Sequence, residues 1–310
     1  MLKRNLLAAC ALALFAGAQP ALAQQDPASA VEDLTTHGEP PMLGIAWTRD
    51  VIASRQLGQA RRSPNMTYHG GKIMTTATTL AIFRGTSWAT YTGDKITGMD
   101  SWYAGYNGSN YAKTSTEYTG SNGKVGAVTT HQGHLIDTAA ETSNGNTTTV
   151  LNEVCSALTA NGVTIDPNGN GYYALYSDKP RGNAGYCAYH SAGTCNGKAI
   201  QFAFFWKLDG DAGCNPSDTS GLHSQGLAAI ANVSGHELAE AMTDPANPGA
   251  WYDSSGNENG DKCAWTFGAP LVTFSNGSQW KIQGEWSNAA YTAGTGYPNS
   301  SGQKGCLSGL

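Results

Sequence analysis

Residues 234–245 read S-G-H-E-L-A-E-A-M-T-D-P, and this segment constrains the fold most, because it predicts one helix with a row of polar side chains. In a helix, a step of four residues advances about 400°, so His236 and Glu240 project from one face about 40° apart. Two such side chains can hold one metal ion. Pro245 is expected to end the helix just past Asp244.

The opposite face of this helix, which we place near residues 222–244, is apolar. It carries aliphatic side chains at helical spacing: Leu227, Ala231, Leu238 and Met242. This spacing predicts a buried side and places His236, Glu240 and Asp244 along a cleft.

The polar row is typical of the metallohydrolase pattern H-E-x-x-H, with a carboxylate in place of the second histidine. His236 and Glu240 would be metal ligands one turn apart. Glu237 would be a base that deprotonates metal-bound water. The short pattern also fits a solvated helix face that binds no metal.

A second acidic segment, residues 257–263, follows the helix after a turn rich in proline and glycine. A pair of ligands on one helix needs a remote ligand to complete a site with three protein ligands and one open position. The sequence leaves this third ligand open among Asp244, Glu258 and Asp261.

The N-terminus reads as an export signal, with basic residues before an apolar run over residues 6–18. Cleavage near Ala23 gives a signal peptide, residues 1–23, and a secreted protein, extracellular or periplasmic. Lipoprotein processing at Cys10 is the alternative, but little apolar sequence precedes that cysteine. No other apolar run of roughly 18 residues occurs, so no membrane span is predicted.

The composition suits one secreted domain, since a hydrophobic content of 40% can fill a core. We predict a flexible leader or propeptide over residues 24–65, in which only residues 42–47 are strand-like, and a single domain over residues 66–310. The net charge of −5 gives no basic footprint for nucleic acid. We expect a monomer with no nucleic-acid partner.

The chain has seven cysteines, and removing Cys10 with the signal peptide leaves six. An even number in an exported chain predicts three disulfide bonds, whose pairing the sequence leaves open. A thiolate metal site is the alternative, although no C-x-x-C pair occurs. From their positions, Cys263 and Cys306 would join the acidic segment to the C-terminal region.

Hydrophobic periodicity predicts an α+β domain with a mixed β-sheet backed by helices. A helix is predicted over residues 147–160, and a weaker helical segment over residues 96–118 is expected to bury its aromatic side chains. The predicted β elements are a run at 72–84, strands at 172–177 and 199–208, and a hairpin at 271–286 around Asn276 and Gly277.

Histidines outside the helix differ in their context. His190 lies in segment 185–191, predicted to be a cysteine-fixed loop, and it is a candidate site residue because metallopeptidases align substrate on strand edges near the metal helix. His69 is predicted to be a turn residue. His131 and His134 are predicted to lie in a loop, because a glycine separates them and few acidic residues are near in sequence.

Taken together, several segments resemble the Exordium-like, phosphate-induced protein family. They lie at 68–71, 185–190, 236–245, 251–253, 261–265 and 285–288. The likeness runs from Tyr68 to the C-terminus and is to the exported microbial branch, whose helix reads H-E-L-A-E-A-x-T-D-P and whose later loop reads E-x-x-D-K-C. The plant members are cell-wall growth proteins, so the resemblance implies a site more than a reaction.

The first hypothesis is a secreted zinc-dependent hydrolase, a metallopeptidase with a zincin-like domain that cleaves a peptide or protein substrate. His236 and Glu240 would bind Zn²⁺, and Glu237 would be the general base. His190 or Tyr252 would steady the oxyanion. Glu240 adds negative charge, which would make the ion less Lewis acidic.

The rival hypothesis is a non-catalytic extracellular protein that binds cell-wall polysaccharide and uses the same cluster as a structural metal site. Acidic residues at 209–211 and 253–261 also raise Ca²⁺ as an additional or alternative cation, since hard cations take oxygen ligands.

Overall fold

The computed structural model describes residues 42–56, 65–246 and 248–310. The predicted signal peptide, residues 1–23, lies outside the described residues, as does the start of the predicted leader, residues 24–41. Residues 42–56 also fall within the predicted leader, and they form a strand followed by a helix.

The helices of the described residues surround a sheet and vary widely in length. They are α1 (Arg49–Gln56), α2 (Lys95–Tyr106), α3 (Asn110–Lys113), α4 (Thr147–Ala160), α5 (Gln225–Thr243), α6 (Asn259–Lys262) and α7 (Asn288–Thr292), with 3₁₀ turns at Thr86–Thr90 and Thr114–Glu117.

The strands divide into long ones, which build the main sheet, and short ones, which form ribbons around it. They are β1 (Gly44–Trp47), β2 (Thr67–Tyr68), β3 (Ala77–Arg84), β4 (Thr119–Gly120), β5 (Gly123–Lys124), β6 (Thr129–Asp137), β7 (Gly171–Pro180), β8 (Tyr186–Cys195), β9 (Lys198–Lys207), β10 (Trp251–Tyr252), β11 (Val272–Thr273), β12 (Gln279–Trp280), β13 (Glu285–Trp286), β14 (Tyr297–Pro298) and β15 (Lys304–Leu307).

The main sheet has six strands in the order β1-β8-β9-β7-β3-β6. Strands β6, β3, β7 and β9 run parallel to one another. Strand β8 is antiparallel to β9, and β1 is antiparallel to β8 at the edge. The predicted mixed sheet backed by helices is therefore confirmed as a mixed α/β architecture.

The centre of the sheet is covered on both faces. The Tyr176 hydroxyl of β7 lies 2.8 Å from Ser234 of α5. On β9, Trp206 lies on the opposite face, where a Cβ at Gly145, just before α4, would be 2.9 Å from the Trp206 ring. The near-continuous apolar sequence of β9 follows from this two-sided burial.

Local patterns predicted several elements correctly. The helix predicted over residues 147–160 is α4, whose N-terminus is capped by Asn146 accepting the Thr149 N–H at 2.9 Å. Strand β7 contains the strand predicted at 172–177, and β9 covers the strand predicted at 199–208 except for Leu208. The predicted hairpin is the β11–β12 pair, and Gly277 has the positive φ, 82°, that its turn requires.

The helical segment predicted over residues 96–118 is shorter than expected. Helix α2 ends at Tyr106, and Gly108 follows with a φ of 65°, a conformation that interrupts a helix. The predicted burial of its large side chains is confirmed for Met99, Trp102, Tyr103 and Tyr106.

Two predicted loops are strands. Residues 186–191 of the first segment lie in β8, where residues 187–191 are buried in succession on both faces of the sheet, so their pattern need not alternate. His131 and His134 lie in β6, which bulges at Gly133 and continues. Both histidines contact Asp100 of α2, at 2.9 and 2.6 Å, so the nearby acid comes from another element.

The three predicted disulfide bonds are confirmed. They join Cys155 to Cys195, Cys187 to Cys214, and Cys263 to Cys306, the last pair as expected. Disulfide bonds of this number indicate an oxidising, extracellular environment. Among the described residues, none of the helices combines the length and apolar character needed to cross a membrane.

Candidate metal centre

Helix α5 positions the predicted polar row. Ser224 caps its N-terminus by accepting the Leu227 N–H at 3.1 Å, and the helix ends at Thr243, before Pro245, as predicted. The predicted cleft is wrong, because β1, β8 and α6 pack against the helix and bury the polar row, including Asp244.

His236 and Glu240 point toward each other, as predicted from their spacing. Nε2 of His236 lies 3.1 Å from Oε1 of Glu240, and both side chains are buried. The other ring nitrogen, Nδ1, lies 3.1 Å from Nε2 of Gln283, which also donates to the carbonyl of Gly260 at 2.8 Å. These contacts hold the ring with Nε2 facing the carboxylates.

Asp261 joins this pair from helix α6. Its Oδ1 lies 3.8 Å from His236 Nε2, and its backbone N–H donates to Glu240 Oε1 at 3.0 Å. The backbone N–H of Glu258 donates to Oδ2 of Asp261 at 3.1 Å and orients the carboxylate. His236, Glu240 and Asp261 each bring one ligand atom within 4.8 Å of the others.

The other two acids considered as third ligand have different surroundings. Asp244 accepts the Ala250 N–H, and burial raises its pKa to about 6. Glu258 is buried, and within the described part of the chain its Oε2 has no hydrogen-bond partner. Burial, followed by the negative charges of nearby carboxylates, raises the pKa of Glu258 well above its usual value. Neither residue belongs to the ligand group of His236.

A second group forms on the other side of Glu240. His190 of β8 places Nδ1 3.3 Å from Oε2 of Glu237 and 3.7 Å from Oε2 of Glu240. These three side chains are buried and also bring ligand atoms within 4.8 Å of one another. Glu240 therefore faces His236 with one oxygen and His190 with the other.

The carboxylates change the protonation of both histidines. Burial alone would lower the pKa of His236, but the carboxylates of Glu240, Glu237 and Asp261 together more than offset it and raise this pKa well above its usual value. Burial also opposes protonation of His190, yet Glu237 and then Glu240 raise its pKa. For Glu237 itself, burial is the largest effect and raises the pKa of its carboxyl.

Tyr252 lies outside both groups, on the short ribbon formed by β2 and β10. Its ring stacks on His69, with centroids 3.6 Å apart and planes inclined by 5°. A Cβ at Gly249 would contact both Tyr252 and Asp244, so the tyrosine lies close to Asp244 at the edge of the metal centre. Burial, then the charges of Asp244 and Glu258, raises the pKa of Tyr252.

Three residues at this centre were not predicted. Gln283 orients His236, but an isolated glutamine carries no recognisable pattern. A Cβ at Gly260 would lie 2.9 Å from Oε1 of Glu240, and a Cβ at Gly44 would lie 2.1 Å from its Oε2. Gly260 lies in the acidic segment, where a glycine can indicate a close approach of the backbone. Gly44 lies far from that segment in the chain.

Of the five acids in the segments that raised calcium as an alternative, three are engaged by cationic side chains. Asp211 pairs with Arg181 at 2.6 Å, and Asp253 pairs with Lys262 at 2.9 Å. Asp209 pairs with Lys95. These pairings satisfy the carboxylates without a bound cation.

Comparisons with protein-family models, with curated proteins and with solved structures found nothing that matches this chain.

Proposed function

We propose that the chain is a secreted zinc-dependent hydrolase that cleaves peptide bonds, with a zincin-like domain of the Exordium-like family. The observation that carries this proposal is the group formed by His236, Glu240 and Asp261. Its three ligand atoms lie within 4.8 Å of one another, with His236 and Glu240 buried and Asp261 half-buried.

Unsatisfied buried atoms in and around this group support a cation at the centre. Among the described residues, His236 Nε2 and Glu240 Oε2 have no partner with hydrogen-bond geometry, and neither has Glu258 Oε2. Leaving such atoms buried is costly unless they meet a ligand. The acids of the centre outnumber its two imidazoles, and a divalent cation would neutralise the excess negative charge.

The donor set fits zinc better than calcium. Zinc accepts imidazole nitrogen together with carboxylate oxygen, whereas calcium takes six or more oxygen ligands. Zinc–ligand bonds of about 2.0–2.2 Å place neighbouring ligand atoms roughly 3–4 Å apart. The distances from His236 Nε2 to Glu240 Oε1 and Asp261 Oδ1, 3.1 and 3.8 Å, fall in this range.

A zinc ion held by this group would polarise a scissile carbonyl and acidify a water molecule. Glu237, next to His236 in the helix, would take the proton from the attacking water and pass it to the leaving amine. Its raised pKa brings both transfers closer to neutral pH. The His190 imidazole, whose pKa the Glu237 and Glu240 carboxylates raise against the effect of burial, would donate to the developing oxyanion, and Tyr252 is the second candidate donor.

The arrangement of the sheet supports a peptide substrate. Antiparallel strand β8 lies next to α5 and carries His190 into the centre. Strand β8 could align an extended peptide by backbone hydrogen bonds only along the edge that β1 occupies. Because Glu240 replaces a neutral histidine, we expect weaker polarisation and slower turnover than in an H-E-x-x-H site.

The test is the Glu237→Gln variant, assayed on casein with zinc supplied and with a zinc chelator. We expect activity to fall by at least about 100-fold, with zinc content and thermal unfolding unchanged. The matched control is Glu141→Gln, since Glu141 is also buried but accepts from Ser143, outside the centre. A fully active Glu237→Gln variant would refute the assignment of the base.

Burial of the centre favours a second candidate, the non-catalytic protein with a structural metal ion. The β2–β10 ribbon would supply its binding surface, since Tyr68 is 41% exposed and its ring lies 5.5 Å from that of Trp251. Retention on insoluble cell-wall polysaccharide that is lost in Tyr68→Ala, with no casein hydrolysis, would select this function.

A further inference from the structure

Strand β1 covers the metal centre from the edge of the main sheet. The N–H of Leu43, just before the strand, donates to the carbonyl of His190 at 3.0 Å. The N–H of Ala46 donates to Oε1 of Glu237 at 2.9 Å. Residues 43–46 thus join β8 to the candidate base on α5.

Gly44 is the point of closest approach. It pairs with His190 in the strand register. A Cβ on Gly44 would lie 2.1 Å from Oε2 of Glu240 and 2.4 Å from Cε1 of His190, closer than real Cβ contacts. Only a residue without a side chain can place its backbone here.

Strand β8 is held in place without help from β1. Cys187 near its start bonds to Cys214, and Cys195 at its end bonds to Cys155. Strand β9 pairs with β8 from Ala188 to Cys195. If β1 left, β8 would remain as an edge whose backbone groups can pair with another extended chain.

The contacts of β1 differ between its N-terminal end and the residues that follow it. Its four residues pair with β8, with a register shift between Ala46 and Trp47. Beyond this shift, the Thr48 N–H donates to Gly185 and the indole of Trp265 donates to the carbonyl of Trp47. Separation of residues 43–46 from β8 would leave these following contacts in place.

We propose that residues 43–46 are an internal occupant of a peptide-binding edge on β8, and that the substrate is an extended peptide with glycine at the position of Gly44. This inference rests on the proposed function. The peptide would pair antiparallel with β8 and place its glycine beside Glu240 and His190. A tethered segment competes at an effective concentration of about millimolar, so β1 inhibits peptide binding in the intact chain.

The test uses a fluorescent peptide with the sequence of residues 42–48, titrated into the full chain by fluorescence anisotropy. Gly44→Val introduces a side chain that β1 cannot accommodate. We expect this variant to bind the peptide at least about 10-fold more tightly than the unaltered chain. Gly185→Ala is the matched control, since a Cβ there would make an ordinary contact, 3.4 Å from Val51.

A folded Gly44→Val variant with unchanged peptide affinity would refute the inference. So would equal binding of a peptide with valine at the glycine position. If Gly44→Val does not fold, hydrogen exchange of the unaltered chain decides. We expect the amides of residues 43–46 to exchange at least about 10-fold faster than those of β8 and β9. Equal protection of these amides would contradict the inference.

Peptide binding and peptide-bond hydrolysis are measured separately in these experiments. Tight peptide binding without cleavage would reject the hydrolase and retain the binding edge. Casein cleavage by a chain whose β1 stays paired with β8 would retain the hydrolase and reject the binding edge.

Discussion

The backbone N–H of Ala46 donates a hydrogen bond of 2.9 Å to Oε1 of Glu237, across 191 residues of sequence. The other oxygen of Glu237 lies 3.3 Å from Nδ1 of His190. The carboxylate proposed as the base is therefore held between an edge strand and a histidine of its neighbour. This explains why the centre is buried although its ligands lie near the edge of the sheet.

Gln283→Leu should weaken zinc binding with little loss of fold. The substitution keeps the side-chain volume similar but removes the amide that contacts His236 and Gly260. Loss of such an orienting contact typically reduces metal affinity by about 10–100-fold. Zinc titration of the variant measures the change. The control is Gln201→Leu, a buried glutamine on β9, whose zinc affinity should match that of the unaltered chain.

Two disulfide bonds offer a matched comparison of stability and metal binding. The Cys263–Cys306 and Cys155–Cys195 bonds span 43 and 40 residues, so removing either should cost a similar free energy of unfolding, about 2–4 kcal/mol. Only Cys263 adjoins α6, which carries Asp261. Replacing Cys263 and Cys306 by serine should therefore also weaken zinc binding by at least about 10-fold.

The corresponding double variant at Cys155 and Cys195 should bind zinc with the affinity of the unaltered chain. Chemical unfolding and zinc titration of both variants provide the comparison. Equal zinc affinities in the two variants would contradict a role for α6 in the metal centre.

Asp253→Asn should destabilise the chain in a pH-dependent way. Burial alone would raise the pKa of Asp253, but Lys262 at 2.9 Å and the Asn257 and Ser255 donors lower it below its usual value. The folded state therefore binds fewer protons than the unfolded state. The stabilisation is present above the unfolded pKa of about 4 and is lost as the pH falls through the folded pKa.

We expect Asp253→Asn to lower the free energy of unfolding by about 1–2 kcal/mol at neutral pH. The difference should shrink as the pH falls below about 4. Urea unfolding at several pH values, with a chelator present, measures this dependence. A difference that stays constant across these pH values would rule out the ionised carboxylate as its source.

The sequence predicted the local part of the centre and missed the part made by long-range pairing. A four-residue spacing suffices to bring His236 and Glu240 together, because helix geometry is local. The choice of Asp261 over Glu258 depends on the short helix α6 and its cap, which the acidic composition of the segment does not reveal.

Strands β1 and β8 show why the remainder was harder to predict. Strand β8 contains glycine, serine and histidine, and its strand conformation depends on partners on both edges. Gly44 faces Glu240 only because β1 pairs with β8, more than a hundred residues away in sequence. A local sequence pattern does not determine the register between such distant strands.

Zinc binding by the full chain and by His236→Ala tests the central claim most directly. Isothermal titration of the metal-free protein should give one zinc ion per unaltered chain and an affinity at least about 100-fold weaker for His236→Ala. His223→Ala is the control, since this half-buried histidine stacks on Trp280 and belongs to neither ligand group, so its removal should leave binding unchanged. Equal zinc affinity of His236→Ala and the unaltered chain would contradict the metal centre described above.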